Sequence, residues 1–282
     1  MIDASLILEG GGMRGIYTAG VLDFFMDNEM LFSKVYGVSA GSCHAVSYLS
    51  GQKGRAFRIS TEYLGDSRYC SVKSLLTTGD LFGVQMCYDL IPNELDPYDY
   101  DAFSRYKGDF YAVVTNCRNG CAEYLPVKDM RHDITAIRAS SSLPLMSKMV
   151  EYHGQKYLDG GIADSIPIEK SIADGNLKNI VVLTREKGYR KKRTSATPIM
   201  ALRYITRPNL VRATDTRHLR YNHALDTIET LEEQGKIVVI RPSAKPNIGR
   251  TEKNLEKLKA LYEVGYNDAK AKYEEIMKYV NA

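Results

Sequence analysis

Apolar positions in this chain gather into short runs separated by longer amphipathic stretches, and the two kinds alternate from end to end. The runs "SLIL" (5–8), "KVYGV" (34–38), "DFYAVVTNC" (109–117), "CAEYL" (121–125), "MVEYHGQKYL" (149–158), "NIVVLT" (179–184) and "KIVVI" (236–240) have the length and composition of strands. Helices are predicted over about 15–30 and 40–50, and throughout 187–235. A last helical stretch is predicted in "TEKNLEKLKALYEVGYNDAKAKYEEIMKYV", where Leu255, Leu258, Leu261, Tyr273 and Met277 recur at roughly helical spacing. Strands that alternate with helices predict an α/β protein whose sheet is covered on both faces. The expected organisation is one core, residues 1–186, with a helical addition, 187–282, packed on it; strand 236–240 is a candidate to join the core sheet. Residues 81–103 mix aromatics and acids without a clear period, so a long loop with short helices is expected there, with a lid over an active site as the functional alternative.

Charge and cysteine content narrow the class. No apolar run approaches the roughly 18 residues of a membrane span, and the N-terminus has neither a basic start nor a long apolar segment. A cytoplasmic protein without a membrane span is therefore expected. Five cysteines, at 43, 70, 87, 117 and 121, are an odd count and read as free thiols in a reducing compartment. Cys117 and Cys121 bracket Asn119-Gly120, a hairpin signal, and no second Cys pair completes a knuckle, so no metal is expected. Asp96, Asp99 and Asp101 lack the spacing and glycine of a calcium loop and read as solvated. The net charge of +4 is uneven: residues 185–282 hold 21 Lys and Arg against 12 Asp and Glu, whereas residues 1–184 hold 17 against 22. The densest run, "REKGYRKKR" (185–193), reads as a solvated linker, with peripheral contact to an anionic membrane as the functional alternative. No nucleic-acid motif accompanies it, so no nucleic-acid partner is expected.

Three glycine-rich motifs carry the chemistry. "GGGMRG" (10–15) fits G-x-G-x-x-G between a strand and a helix, but the second strand ends in serine where a dinucleotide site needs an acid, and no P-loop Lys-Ser/Thr follows. "GVSAG" (37–41) is G-x-S-x-G in the strand-turn-helix setting of a nucleophile elbow, with Gly37 and Gly41 flanking Ser39. A serine nucleophile needs a base, and its tetrahedral intermediate needs N–H donors. Neighbouring parallel strands end at the same edge, so the bare backbone at Gly11 and Gly12 is placed to face the developing negative charge at Ser39. Arg14 adds a fixed positive charge there or pairs with a nearby carboxylate. For the base, His153, His218 and His223 follow in the order of a triad, but none sits in a strand-end loop, and His44 reads as a helix-surface or core-edge residue. Asp159, followed by Gly160 and Gly161 at the end of a strand-like run, fits better as a direct acceptor of the Ser39 proton.

"GGGMRG", "GVSAG" and "DGG" in this order resemble the patatin-like phospholipases, and "IRASSSLPLM" (137–146) is similar to the family's segment before the Asp hairpin. The resemblance covers roughly residues 5–184. It implies a three-layer α/β/α sandwich with a mainly parallel sheet, lipid acyl-ester hydrolysis without a cofactor, Ser39 as nucleophile, Asp159 as base, and an oxyanion hole of Gly11 and Gly12 with Arg14 nearby; Gly10, Gly15, Gly37, Gly41, Gly160 and Gly161 are the motif glycines. The alternative is a membrane-surface or nucleotide-binding module with a degenerate hydrolase site.

Overall fold

The computed structural model describes residues 1–282. Its first half contains β1 (Ile2–Leu8), α1 (Ile16–Asp27), β2 (Phe32–Val38), α2 (Ala40–Leu49), α3 (Arg55–Thr61), α4 (Val72–Thr78), α5 (Tyr100–Ser104), β3 (Asp109–Asn116), β4 (Ala122–Pro126) and α6 (Met130–Ser140). There follow β5 (Val150–Tyr152), β6 (Gln155–Asp159), α7 (Ile168–Ala173), β7 (Asn179–Val182), α8 (Thr197–Arg203), α9 (Pro208–Asp215), α10 (Arg217–Glu233), β8 (Val238–Ile240), α11 (Leu255–Ala271) and α12 (Tyr273–Asn281).

The strands form one mixed sheet. β1 lies between β2 and β7, with β3 beyond β2 and β8 beyond β7, and all four pairings are parallel. Alternation along these strands makes the layers. Leu6, Leu8, Ile180, Val182, Val238 and Ile240 face a core shared with α1, α2, α11 and α12. Their neighbours Ile7, Val181, Leu183 and Val239 face a second core shared with α7 and α10. The result is the three-layer α/β/α sandwich, with a parallel centre buried on both sides.

The register around β3 positions the site. Residues 111–113 pair with β2 and β4 at once, and residues 114–115 with β6 and β4 at once. β4 therefore occupies one edge of β3, while β2 and then β6 occupy the other. Val38 pairs with Val113 and Asp159 with Val114, so β2 and the oppositely running β6 meet head to head. The residue after Val38 is Ser39.

The C-terminal helices are fastened to the first one. Gly20 of α1 and Gly265 of α11 let the two backbones touch, because a Cβ on either would collide with the carbonyl oxygen of Tyr262 or Tyr17. The hydroxyls of Tyr17, Tyr262 and Tyr266 donate across the same junction to Asp268 (3.0 Å), Asp23 (2.7 Å) and Asp27 (2.8 Å).

Two stretches differ from the sequence reading. Residues 187–196 are not helical: Gly188 sits at φ 80°, and Arg190 and Arg193 are drawn out to Asp226, Glu229 and Asp215 on the neighbouring helices. Within 81–103 the chain forms a ten-residue π-helix, Met86–Leu95, whose wider winding hides from a 3.6-residue period. Asp96 after it is held by Arg55 (3.3 Å) and Arg58 (2.8 Å), Asp99 caps α5, and Asp101 pairs with Arg131 (2.8 Å), so each of the three acids has its own partner.

Candidate active site

Ser39 sits in the turn between β2 and α2 at φ 56° and ψ −122°, a conformation that costs a non-glycine residue about 1–3 kcal/mol. Close packing over-determines it. A Cβ on Gly10 would lie 2.6 Å from that of Ser39, one on Gly37 2.5 Å from Ser42, and one on Gly41 2.5 Å from the Leu8 carbonyl oxygen. Gly15 is as tightly set, against Ala40 and His44. The turn thus holds the serine side chain at the sheet edge, over the positive end of α2.

The head-to-head strands bring the sequence-predicted pair together. The Ser39 hydroxyl donates to Asp159 Oδ2 at 2.6 Å, and the Gly161 amide donates to Oδ1 at 2.8 Å. Gly160 packs so closely on Val113 that a side chain there would collide with its carbonyl. Burial raises the Asp159 carboxyl above its ordinary range, opposed by the charge of Arg217, the Ser39 and Gly161 hydrogen bonds, and Arg250. Of the histidines, His44 is buried and pushed down to about 4 by desolvation, His218 faces the Asp215 carbonyl at 3.0 Å, and His223 pairs with Glu169 at 2.9 Å. His153 is exposed in the β5–β6 turn at φ 45°. The structure brings none of the four into hydrogen bonding with Ser39, whose hydroxyl partner is Asp159.

Gly10, Gly11, Gly12 and Arg14 line a polar cleft together with Ser39 and Asp159. The amide of Gly11 has no hydrogen-bond partner in the protein, and Gly12 opens a short helical turn whose first N–H groups have none within the turn. Arg14 is buried, and its Nε also lacks a partner. On the other side of Ser39 lies an apolar cleft with about 1110 Å³ of empty space, the open solvent at its mouth included. Its walls include Ala56 and Ile59 of α3, Tyr88 and Pro92 of the π-helix, and Ile134 and Ile137 of α6. Gly12, Ser39 and Leu143 belong to both clefts.

Several residues of the site carry no signal in the sequence. Ser140, at the end of α6, accepts the Ser39 amide at 3.0 Å, and the Ser142 carbonyl accepts the Asp159 amide at 2.8 Å. Both lie in "IRASSSLPLM", where the resemblance marks the segment but no spacing singles them out. Arg185, Lys191, Arg217 and Arg250 reach the polar cleft from the C-terminal third, through contacts that only tertiary packing creates.

The site therefore sets a strained serine, between a parallel strand and a helix, in a hydrogen bond with a buried strand-end aspartate. Comparison with known sequences assigns the chain to a family. The model of the patatin-like phospholipases matches residues 6–172, more than half of the chain, and the chain belongs to that family. A second model, a domain of unknown function (DUF6363), matches residues 207–281. Among curated relatives, the uncharacterized protein YjjU of Escherichia coli (strain K12) is 31% identical over 186 residues, covering 64% of this chain and 51% of that protein. The probable lipid hydrolase 463L of Invertebrate iridescent virus 6 is 23% identical over 198 residues, covering 62% of this chain and 65% of its own length. The chain thus spans between half and two-thirds of these relatives. Among solved structures, VipD from Legionella pneumophila aligns with a TM-score of 0.45 at 13% identity, over 100% of this chain and 67% of VipD. No helix is long and apolar enough to cross a membrane.

Proposed function

We propose that the protein is a lipid acyl-ester hydrolase that works through Ser39 and Asp159 alone. The observation that carries this reading is the 2.6 Å hydrogen bond from the strained Ser39 to a buried carboxylate, at the junction of an apolar and a polar cleft. In the first half-reaction Ser39 Oγ attacks the acyl carbonyl while its proton passes to Asp159. The oxyanion is held by the amides of Gly11 and Gly12, with Arg14 supplying positive charge beside them; losing one such donor costs about 3 kcal/mol of transition-state stabilisation. The intermediate collapses, and the leaving alcohol takes the proton from Asp159. Water then gives a proton to Asp159 as it attacks the acyl-enzyme, and collapse returns that proton to Ser39 and frees the fatty acid.

In this reading the acyl chain lies in the apolar cleft, residues 1–186 carry the catalytic groups, and 187–282 form one wall of the polar cleft. Hydrolysis of chromogenic esters of short, medium and long acyl chain by the wild type, Ser39→Ala and Asp159→Asn tests it. Turnover by the wild type that both variants lose is the expected result. Full activity in Ser39→Ala would end the proposal.

A further inference from the structure

Five cations converge on the polar cleft beside Ser39: Arg14 from the turn after β1, Arg185 and Lys191 from the segment after β7, Arg217 from the start of α10, and Arg250 from the segment before α11. None of them forms an ion pair with a carboxylate. The run 185–193 divides accordingly. Arg190 and Arg193 are paired with Asp226, Glu229 and Asp215, whereas Arg185 and Lys191 turn into the cleft, stacked at 4.5 Å and 4.1 Å over the ring centroids of Tyr189 and Tyr221.

The two carboxylates of the cleft are already engaged. Glu9 accepts from the Tyr221 hydroxyl (2.6 Å) and from the amide (2.6 Å) and hydroxyl (3.0 Å) of Thr184, while Asp159 holds Ser39 and Gly161. Arg217 reaches only the Ser165 hydroxyl, at 3.3 Å, and the buried Nε of Arg14 reaches nothing. Grouping like charges away from water costs free energy. Burial pushes the Lys191 ammonium down to about 7, helped by Arg217, Arg250 and Arg14 and opposed by Glu9. Burial likewise takes Arg14 down to about 10, with Arg185 and Arg250 adding to it. Within the cleft only Glu9 and Asp159 offset this arrangement, two carboxylates against five cations, so a further counter-ion has to come from outside.

We propose that this cleft binds a phosphate dianion beside Ser39, either as the phosphomonoester headgroup of an acylated lipid or as a free phosphate compound. Guanidinium forks match phosphate oxygens, and five cations against two occupied carboxylates call for more than one negative charge. A zwitterionic headgroup would bring a further cation into the cleft. The headgroup form rests on the hydrolase reading above: with the acyl chain in the apolar cleft and the phosphate in the polar one, the ester falls at Ser39, which lines both clefts.

Two measurements test the proposal. In the first, melting of the wild type and of Ser39→Ala is followed with inorganic phosphate against chloride at equal ionic strength. In the second, kcat/KM is compared for a monoacylglycerol phosphate and a monoacylglycerol of the same chain. Phosphate is expected to raise the Tm of both proteins but not of Arg185→Gln with Lys191→Gln. The phosphorylated ester is expected to be preferred about tenfold or more, the discrimination that one charge-assisted hydrogen bond supplies, and the double variant to bring the ratio toward one. A Tm rise with no preference between the esters assigns the site to a free phosphate compound. A Tm rise in a protein that cleaves no ester keeps the site and removes the hydrolase reading. Ester turnover with neither a phosphate-specific Tm rise nor a preference overturns the proposal and leaves the hydrolase reading standing.

Discussion

Replacing Asp159 by Asn separates what this carboxylate does for catalysis from what it costs the fold. Asn has the same shape and keeps an oxygen for the Gly161 amide, which now sits 2.8 Å from Oδ1, so the turn is expected to survive. What disappears is the proton acceptor 2.6 Å from the Ser39 hydroxyl, and no histidine is hydrogen-bonded to Ser39 to replace it. Positioned general bases contribute about 10²–10⁴ in rate. The variant is therefore expected to lose that factor in kcat, about 3–5 kcal/mol of barrier. The effect on stability has the opposite sign. Burial raises the folded-state pKa of Asp159 above its ordinary value, so between those two values the folded chain holds a proton that the unfolded chain has released. Stability contributed by this group falls as pH rises through that window, and at neutral pH the ionised carboxylate is a liability that Asn removes. The assay is steady-state hydrolysis of a chromogenic ester beside a thermal melt at pH 7: activity falls at least about a hundredfold and Tm stays equal or rises. The same raised pKa puts the acid limb of the wild-type pH–rate profile above the ordinary carboxylate range. A variant that kept a tenth of the activity, or one that lost activity only because it melted earlier, would refute the reasoning.

Other expectations follow from the packing. Gly265→Ala drives a Cβ into the Tyr17 carbonyl and should destabilise the α1–α11 junction by about 1–3 kcal/mol, read as a lower denaturant midpoint; an unchanged midpoint would mean that the helices do not pack backbone to backbone. Gly10→Ala places a Cβ 2.6 Å from that of Ser39, so activity should fall at least about tenfold from a displacement on the order of 1 Å, and a fully active variant would contradict the close fit. Ala56→Phe fills part of the apolar cleft and should lower kcat/KM for long-chain esters relative to short ones; an unaltered chain-length profile would place the acyl chain elsewhere.

The parts of the site that a reader can find in the sequence are those built from backbone. Gly10, Gly37, Gly41 and Gly160 are glycines because strands, turns and the serine crowd them, and such constraints leave a local pattern around Ser39 and Asp159. The sheet was legible for the same kind of reason, since short apolar runs between amphipathic stretches leave few alternatives to a covered parallel centre. Arg185, Lys191, Arg217 and Arg250 are different. Arg217 and Arg250 are ordinary surface residues by their neighbours in the chain, Arg185 and Lys191 stand out only as members of the basic run 185–193, and the return of residues 185–250 to Ser39 brings all four into one cleft. The π-helix over Met86–Leu95 was hidden because its period is not that of an α-helix, and residues 187–196 because charge and helix propensity there are overridden by ion pairs to α9 and α10.

The central claim is that Ser39 is a nucleophile activated by Asp159, and the most direct test is covalent. The purified protein is treated with a long-chain alkyl fluorophosphonate, and the intact mass and the modified peptide are determined for the wild type, Ser39→Ala and Asp159→Asn. The account predicts one adduct per chain, on Ser39, absent in Ser39→Ala and formed far more slowly in Asp159→Asn. An adduct on another residue, or labelling of Asp159→Asn at the wild-type rate, would contradict it.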